Sequence, residues 1–135
     1  MSQVAEQQTG GFIGTDSLIE LRDEFAEYLI GLQDFSHIHV IYWLSEMTDS
    51  IPTTQPQGNS NVPVVGMFAC RWPQRPNPVG LTVVELLSID GTTLSVRGLD
   101  AIDGTLVIDI KPYYPPYDTP KGEVRVPDWI WKLKY

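Results

Sequence analysis

The sequence predicts a mainly β fold, a barrel or a sandwich, with one short helix near its start. Three observations predict it. Runs of β-type residues recur at even spacing through the second two thirds of the chain. Gly, Pro, Asn and Asp bound each run. Only residues 22–30 carry apolar residues at helical spacing. Strands and helices do not alternate, which argues against a Rossmann-type sheet.

Residues 1–16 are polar and glycine-containing, and they read as a flexible lead. Gly10-Gly11-x-x-Gly14 superficially echoes a nucleotide-binding loop, but no strand precedes it. A single domain is expected over 17–135. Ser17 to Leu21 alternates weakly, as a short strand does. From Arg22 to Ile30 a helix is expected, because Leu21, Phe25 and Leu29 form one apolar stripe. Asp23 and Glu24 suit its first turn, and Gly31 suits the position past its end.

His37 to Ser45 is the clearest strand. Ile38, Val40, Tyr42 and Leu44 share one face, and His37, His39, Ile41 and Trp43 share the other. His37 and His39 are spaced to share a metal, but no Cys, Asp or Glu at suitable spacing completes a site, so none is expected. Met47 to Asn61 is a turn-rich insertion. A strand ending at Cys70 and another through Ile89 flank an arginine- and proline-rich loop. Asp90-Gly91 marks a hairpin. Thr92 to Arg97 pairs back with Leu94 and Val96 inward, Gly98 to Gly104 turns, and Leu106 to Ile110 forms a strand. Asp109 lies among apolar residues there, so it is expected to need an arginine partner. Trp129, Trp131 and Tyr135 give the last segment an aromatic end, suited to packing on the core or across a subunit interface.

Composition bounds the function. The chain has 135 residues, 42% of them hydrophobic and 19% charged, enough for one soluble domain with its own core. It shows neither a membrane span nor a signal core, so a cytoplasmic protein is expected. One cysteine, Cys70, excludes an intramolecular disulfide and reads as a buried small residue. The net charge of −8 sits in residues 1–70, while residues 71–135 balance eight basic against eight acidic residues. Any RNA contact must therefore use Arg71, Arg75, Arg97, Lys111 and the other C-terminal cations, since RNA binding needs a positive footprint.

The loop Cys70-Arg71-Trp72-Pro73-Gln74-Arg75-Pro76-Asn77-Pro78-Val79-Gly80 is the chemical centre of the chain. Its prolines fix φ and keep it out of a ladder. A stiff loop that aims two guanidinium groups suits a carboxylate or a phosphate. It follows Phe68-Ala69, and further on the chain reads Gly98-Leu99-Asp100-Ala101-Ile102-Asp103-Gly104-Thr105-Leu106-Val107-Ile108-Asp109-Ile110-Lys111-Pro112-Tyr113. Together these strings resemble the TsaA-like (TrmO) family of S-adenosylmethionine-dependent methyltransferases. Phe35-Ser36-His37-Ile38, followed by Tyr42-Trp43, matches a third segment of that family. Cys70 stands where the family usually has Thr, and Leu106 where it has Pro. The likeness covers roughly Ser17 to Asp118. The family's opening strand, with Ile-Gly and Ser-Pro, has no match before Ser17.

The resemblance implies a small TsaA-like β-barrel that works as a homodimer and binds S-adenosyl-L-methionine. It implies methyl transfer to N6 of threonylcarbamoyl-adenosine in tRNA. The alternatives are a small-molecule or other acceptor, or a module that binds the cofactor without transfer. Carried onto this chain, it points to Phe68, Arg71, Arg75, Asn77, Pro78, Leu99, Asp100, Asp103, Gly104 and Lys111 on the cofactor side. Tyr113 and Asp103 are acceptor-side candidates, and His37 lies near the pocket or fixes its strand.

Overall fold

A computed structural model describes the backbone of residues 2–6 and the whole of residues 15–44 and 49–135. The glycine triplet at 10–14 lies outside the described residues. Among the described residues eight strands form: β1 Ser2–Glu6, β2 Asp16–Glu20, β3 His37–Trp43, β4 Thr53–Thr54, β5 Val65–Gly66, β6 Val79–Asp90, β7 Thr93–Arg97 and β8 Leu106–Pro112. The main sheet is antiparallel, in the order β1-β2-β7-β6-β3-β8, and β1 pairs with β8 as well as β2. The stretch read as a flexible lead thus contains a strand.

The alternation of β3 sets the core. Ile38 and Val40 are fully buried and Tyr42 nearly so. They meet Ile19 of β2, Val84 of β6, Leu94 and Val96 of β7, and Val107 of β8. Two bulges keep apolar residues inward along strands whose sequence changes phase. On β6 the register shifts between Leu86 and Ser88, so Val84 and Leu86 point inward before it and Ile89 after it. On β8 the pairing passes from Ile41↔Asp109 to Tyr42↔Val107, which leaves Ile108 as the extra, exposed residue. Asp90 and Thr93 pair across Gly91, whose φ of 60° supplies the left-handed turn.

Three expectations are corrected. The early helix is a 3-10 helix, Asp23–Leu29. Phe25 and Tyr28 stack edge-on at 5.3 Å across an i, i+3 spacing, which a three-residue period places in line. Leu29 alone is buried from it. The strand expected up to Cys70 is only Val65–Gly66, followed by a 3-10 turn Met67–Ala69. Its partner β4 is bracketed by Pro52 and, one residue beyond Gln55, by Pro56, so the ladder cannot lengthen. Asp109 is exposed; it pairs with Lys111 at 2.9 Å and accepts a bond from the Ile110 N–H, so it needs no arginine.

The last segment forms a 3-10 turn, Asp128–Lys132, and its aromatic residues Trp131 and Tyr135 stay exposed. Among the described residues no helix is long and apolar enough to cross a membrane.

Candidate functional site

The site grows from one cross-strand pair. Tyr42 on β3 lies opposite Gly80 on β6. The Tyr42 ring occupies the space a side chain at 80 would take: a Cβ there would fall within 2.9 Å or less of Cε2, Cζ and Cδ2. Gly80 is therefore required by close approach. The ring's hydroxyl reaches across the protein and donates to the Asp100 carbonyl at 2.5 Å. Its one proton is then used, so Thr82 Oγ1, 2.9 Å away, donates to Tyr42. Burial, as the largest cause, raises the Tyr42 pKa above that of a free phenol, so the group stays neutral. Tyr42 thereby ties the turn after β7 to the β3–β6 ladder.

Above this tie lies a cleft of about 590 Å³, lined by Tyr42, Gly80, Thr82, Arg71, Arg75 and Asp100 with the apolar side chains of Leu44, Val79, Leu81 and Val83. The two arginines have different work. Arg75 Nη1 donates to the carbonyls of Cys70 (2.7 Å) and Trp72 (3.3 Å), and its guanidinium lies over the Phe68 ring at 5.9 Å. Arg75 thus holds the loop in shape. Arg71 is exposed, and among the described residues no salt bridge engages it. Asp100 is half-buried, and burial raises its carboxyl pKa above the ordinary value. No salt bridge among the described residues neutralises it. An exposed cation and a half-buried carboxylate thus face one cleft.

The other candidates fall elsewhere. Phe68 is exposed and lines a different, apolar cleft of about 710 Å³ with Ile51, Pro52, Met67 and Pro76. Asn77 and Pro78 act through the backbone: Asn77 O accepts from Val79 N, and Pro78 O accepts from Leu44 N at 2.7 Å. Leu99 is fully buried in the core, and Gly104 turns the chain with φ 85° beside an exposed Asp103. Lys111 pairs with Asp109 on the outer face of β8. Tyr113 packs against His39 at 5.6 Å and bonds Thr119, while His39 pairs with Asp118 at 3.1 Å. The structure does not bring Asp103, Lys111 or Tyr113 into the cleft. His37 pairs with Ser36 at 2.7 Å, also away from it. Tyr42, Thr82 and Gly80 were not singled out as site residues from the sequence. The available signal was a tyrosine on the buried face of β3, whose hydroxyl had to find a partner.

Residues 4–119 match the model of the tRNA-methyltransferase O N-terminal domain. The chain belongs to this TrmO N-terminal-domain family. A protein of Methanothermobacter thermautotrophicus named as a probable S-adenosyl-L-methionine-binding protein is 46% identical over 110 residues, covering 82% of this chain and 78% of the relative. An S-adenosyl-L-methionine-binding protein of Archaeoglobus fulgidus is 41% identical, with 81% and 77% covered. The mouse tRNA (adenine(37)-N6)-methyltransferase is 36% identical over 97 residues, which span 22% of that enzyme. The crystal structure of TrmO from Pseudomonas aeruginosa superposes with a TM-score of 0.71 at 28% identity, covering 91% of this chain and 58% of that one. The TrmO-like part of the fold is the part that carries the Arg71–Asp100 cleft, since Arg71, Arg75 and Asp100 all lie within the matched residues.

Proposed function

We propose that this chain is an S-adenosyl-L-methionine-dependent methyltransferase whose donor site is the Arg71–Asp100 cleft and whose acceptor is tRNA. One observation carries the donor site. Among the described residues no salt bridge engages the cation or the half-buried carboxylate that face a single cleft of about 590 Å³, within the range of small-ligand pockets. The amino-acid end of S-adenosylmethionine presents the complementary pair, a carboxylate for Arg71 and an ammonium for Asp100. The apolar walls suit its adenosyl part. When bound, the cofactor supplies an electrophilic methyl group on a sulfonium.

The chain's residues then have positioning work. Methyl transfer from the cofactor would be a displacement at carbon, for which Arg71 and Asp100 would hold the donor's amino-acid end in place. It needs alignment and dryness more than acid–base groups. Arg75 keeps the loop rigid, Tyr42 holds the Asp100 turn, and Val79, Leu81 and Val83 limit water. Phe68, Asn77, Pro78, Leu99 and Gly104 shape the loop and turn around the cofactor.

The domain is read as a TsaA-like barrel acting as a homodimer. Supporting this, Val79, Leu81 and Val83 leave an exposed apolar stripe on β6, with Trp43 beside it. A partner's cleft is then the place for Asp103, Lys111 and Tyr113 on the acceptor side. Light scattering is expected to give twice the chain mass, and Leu81→Asp to give a monomer. A wild-type monomer would end the dimer reading.

tRNA is favoured by the name of the mouse relative. It would place the protein in the cytoplasm. The net charge of −8 favours a second reading, the same cofactor with a small-molecule acceptor. Arg71→Ala is expected to weaken S-adenosylmethionine binding about tenfold by calorimetry, near 1.4 kcal/mol, while leaving the melting temperature unchanged. Unaltered binding would remove Arg71 from the site. Label passing from methyl-tritiated cofactor into bulk tRNA supports the first acceptor. Label passing only into small molecules of a cell extract supports the second.

A further inference from the structure

Residues 120–135 lie beyond the family match, which ends at 119, yet they return to the cleft. Gln57 fastens them. Its Nε2 donates to the Lys134 carbonyl at 2.9 Å, and its Oε1 accepts from the Lys134 N–H at 2.9 Å. Asn59 Nδ2 donates to the Lys132 carbonyl, and Lys132 Nζ donates to the Asn61 carbonyl, both at 3.3 Å. Gln57 also has φ 56°, and among the described residues it is the one non-glycine residue in the left-handed region. Residues are held there when the surroundings over-determine them, often at ligand sites. Here the strained backbone aims an amide at both polar groups of Lys134. The following residue, Tyr135, lines the cleft beside Arg71, Pro73 and Asp100. It also lines a smaller adjoining cavity of about 200 Å³ with Gln57 and Leu133.

We infer that residues 128–135 are a strap, locked by Gln57, that presents the Tyr135 ring as an aromatic wall of the donor cleft. This rests on the proposed donor site and adds to it a binding residue from outside the family match. An aromatic face is well suited to a nucleoside and to a sulfonium cation, both of which S-adenosylmethionine offers. Tyr135 is itself 60% exposed, so its removal leaves the core intact.

The test is calorimetric and stopped-flow titration of the full chain with S-adenosylmethionine. Tyr135→Ala is expected to bind about tenfold more weakly, mostly through faster dissociation. Tyr135→Phe is expected to stay within twofold of wild type, because the ring forms the wall. Gln57→Gly removes both the strained side chain and the lock. It is expected to match the loss of Tyr135→Ala without lowering the melting temperature, since glycine accepts the left-handed backbone. A purely structural strap would instead move stability and leave dissociation alone. Tight wild-type binding that neither Tyr135→Ala nor Gln57→Gly changes overturns the strap and spares the donor site. A wild-type chain that takes up no S-adenosylmethionine overturns both.

Discussion

Gly80→Ala is expected to lower stability by about 2–3 kcal/mol, the upper part of the usual range for overpacking a well-filled interior. For a domain of this size that is a fall of about 10 °C in melting temperature. The cause is local. The new methyl group would fall on the Tyr42 ring, at 2.9 Å or less from three of its carbons. The ring cannot swing aside freely, because its hydroxyl is tied to the Asp100 carbonyl and to Thr82. Relief must therefore break those bonds or spread β3 from β6. Either change also loosens the turn that carries Asp100, so cofactor affinity should fall with stability. Pairing Gly80→Ala with Tyr42→Leu should recover part of the stability and none of the affinity, since the clash goes but the tie to Asp100 goes too. A single variant that melts within 2 °C of wild type would show that the ring is not held as described.

Asp100→Asn is expected to separate stability from binding. Burial raises the Asp100 pKa in the folded chain. A raised carboxyl pKa means that the charge is disfavoured on folding. The associated stability is present below the unfolded pKa of about 3.9 and is lost as pH rises through the folded value. At neutral pH the carboxylate is therefore a mild liability, and Asn, which carries no charge, should leave the protein as stable or slightly more so. Binding should move the other way. Without the charge-assisted bond to an ammonium, S-adenosylmethionine affinity should drop by more than tenfold, about 2 kcal/mol. The wild type should also bind more weakly as pH falls into the window just above the ordinary carboxylate range. Asp100→Asn should flatten that dependence. Calorimetry across pH, with thermal melts alongside, reads both quantities. An Asn variant that binds like wild type would assign the cleft to another ligand group.

Much of the fold was legible because its signals are local. The alternation from Ile38 to Tyr42 predicts the buried face of β3, and burial follows it residue by residue. Asp90-Gly91 predicts a hairpin because only a residue tolerant of positive φ turns two strands so tightly, and Gly91 does so. The loop from Arg71 to Gly80 and the turn from Gly98 to Gly104 carry strings specific enough to indicate the family. Each depends on residues within a few positions of one another.

Other features had no local signature. The early helix takes a 3-10 form, in which Phe25 and Tyr28 stack at a spacing of three. The two bulges restore the inward phase of β6 and β8 only because β7 and β3 fix the pairing register. Both arginines of the loop read alike in sequence, yet carbonyls at 70 and 72 claim Arg75, while Arg71 stays exposed at the cleft. The tie from Tyr42 to Asp100 joins residues 58 apart, and the lock from Gln57 to Lys134 joins residues 77 apart. The sequence by itself determined the strand faces, the hairpin and the family's strings, since short-range sterics and hydrophobic alternation write those directly. Only the tertiary structure decided which cation, which carboxylate and which aromatic ring meet at one cleft. Such meetings depend on closure of long loops, whose partners lie too far along the chain for any local pattern to record.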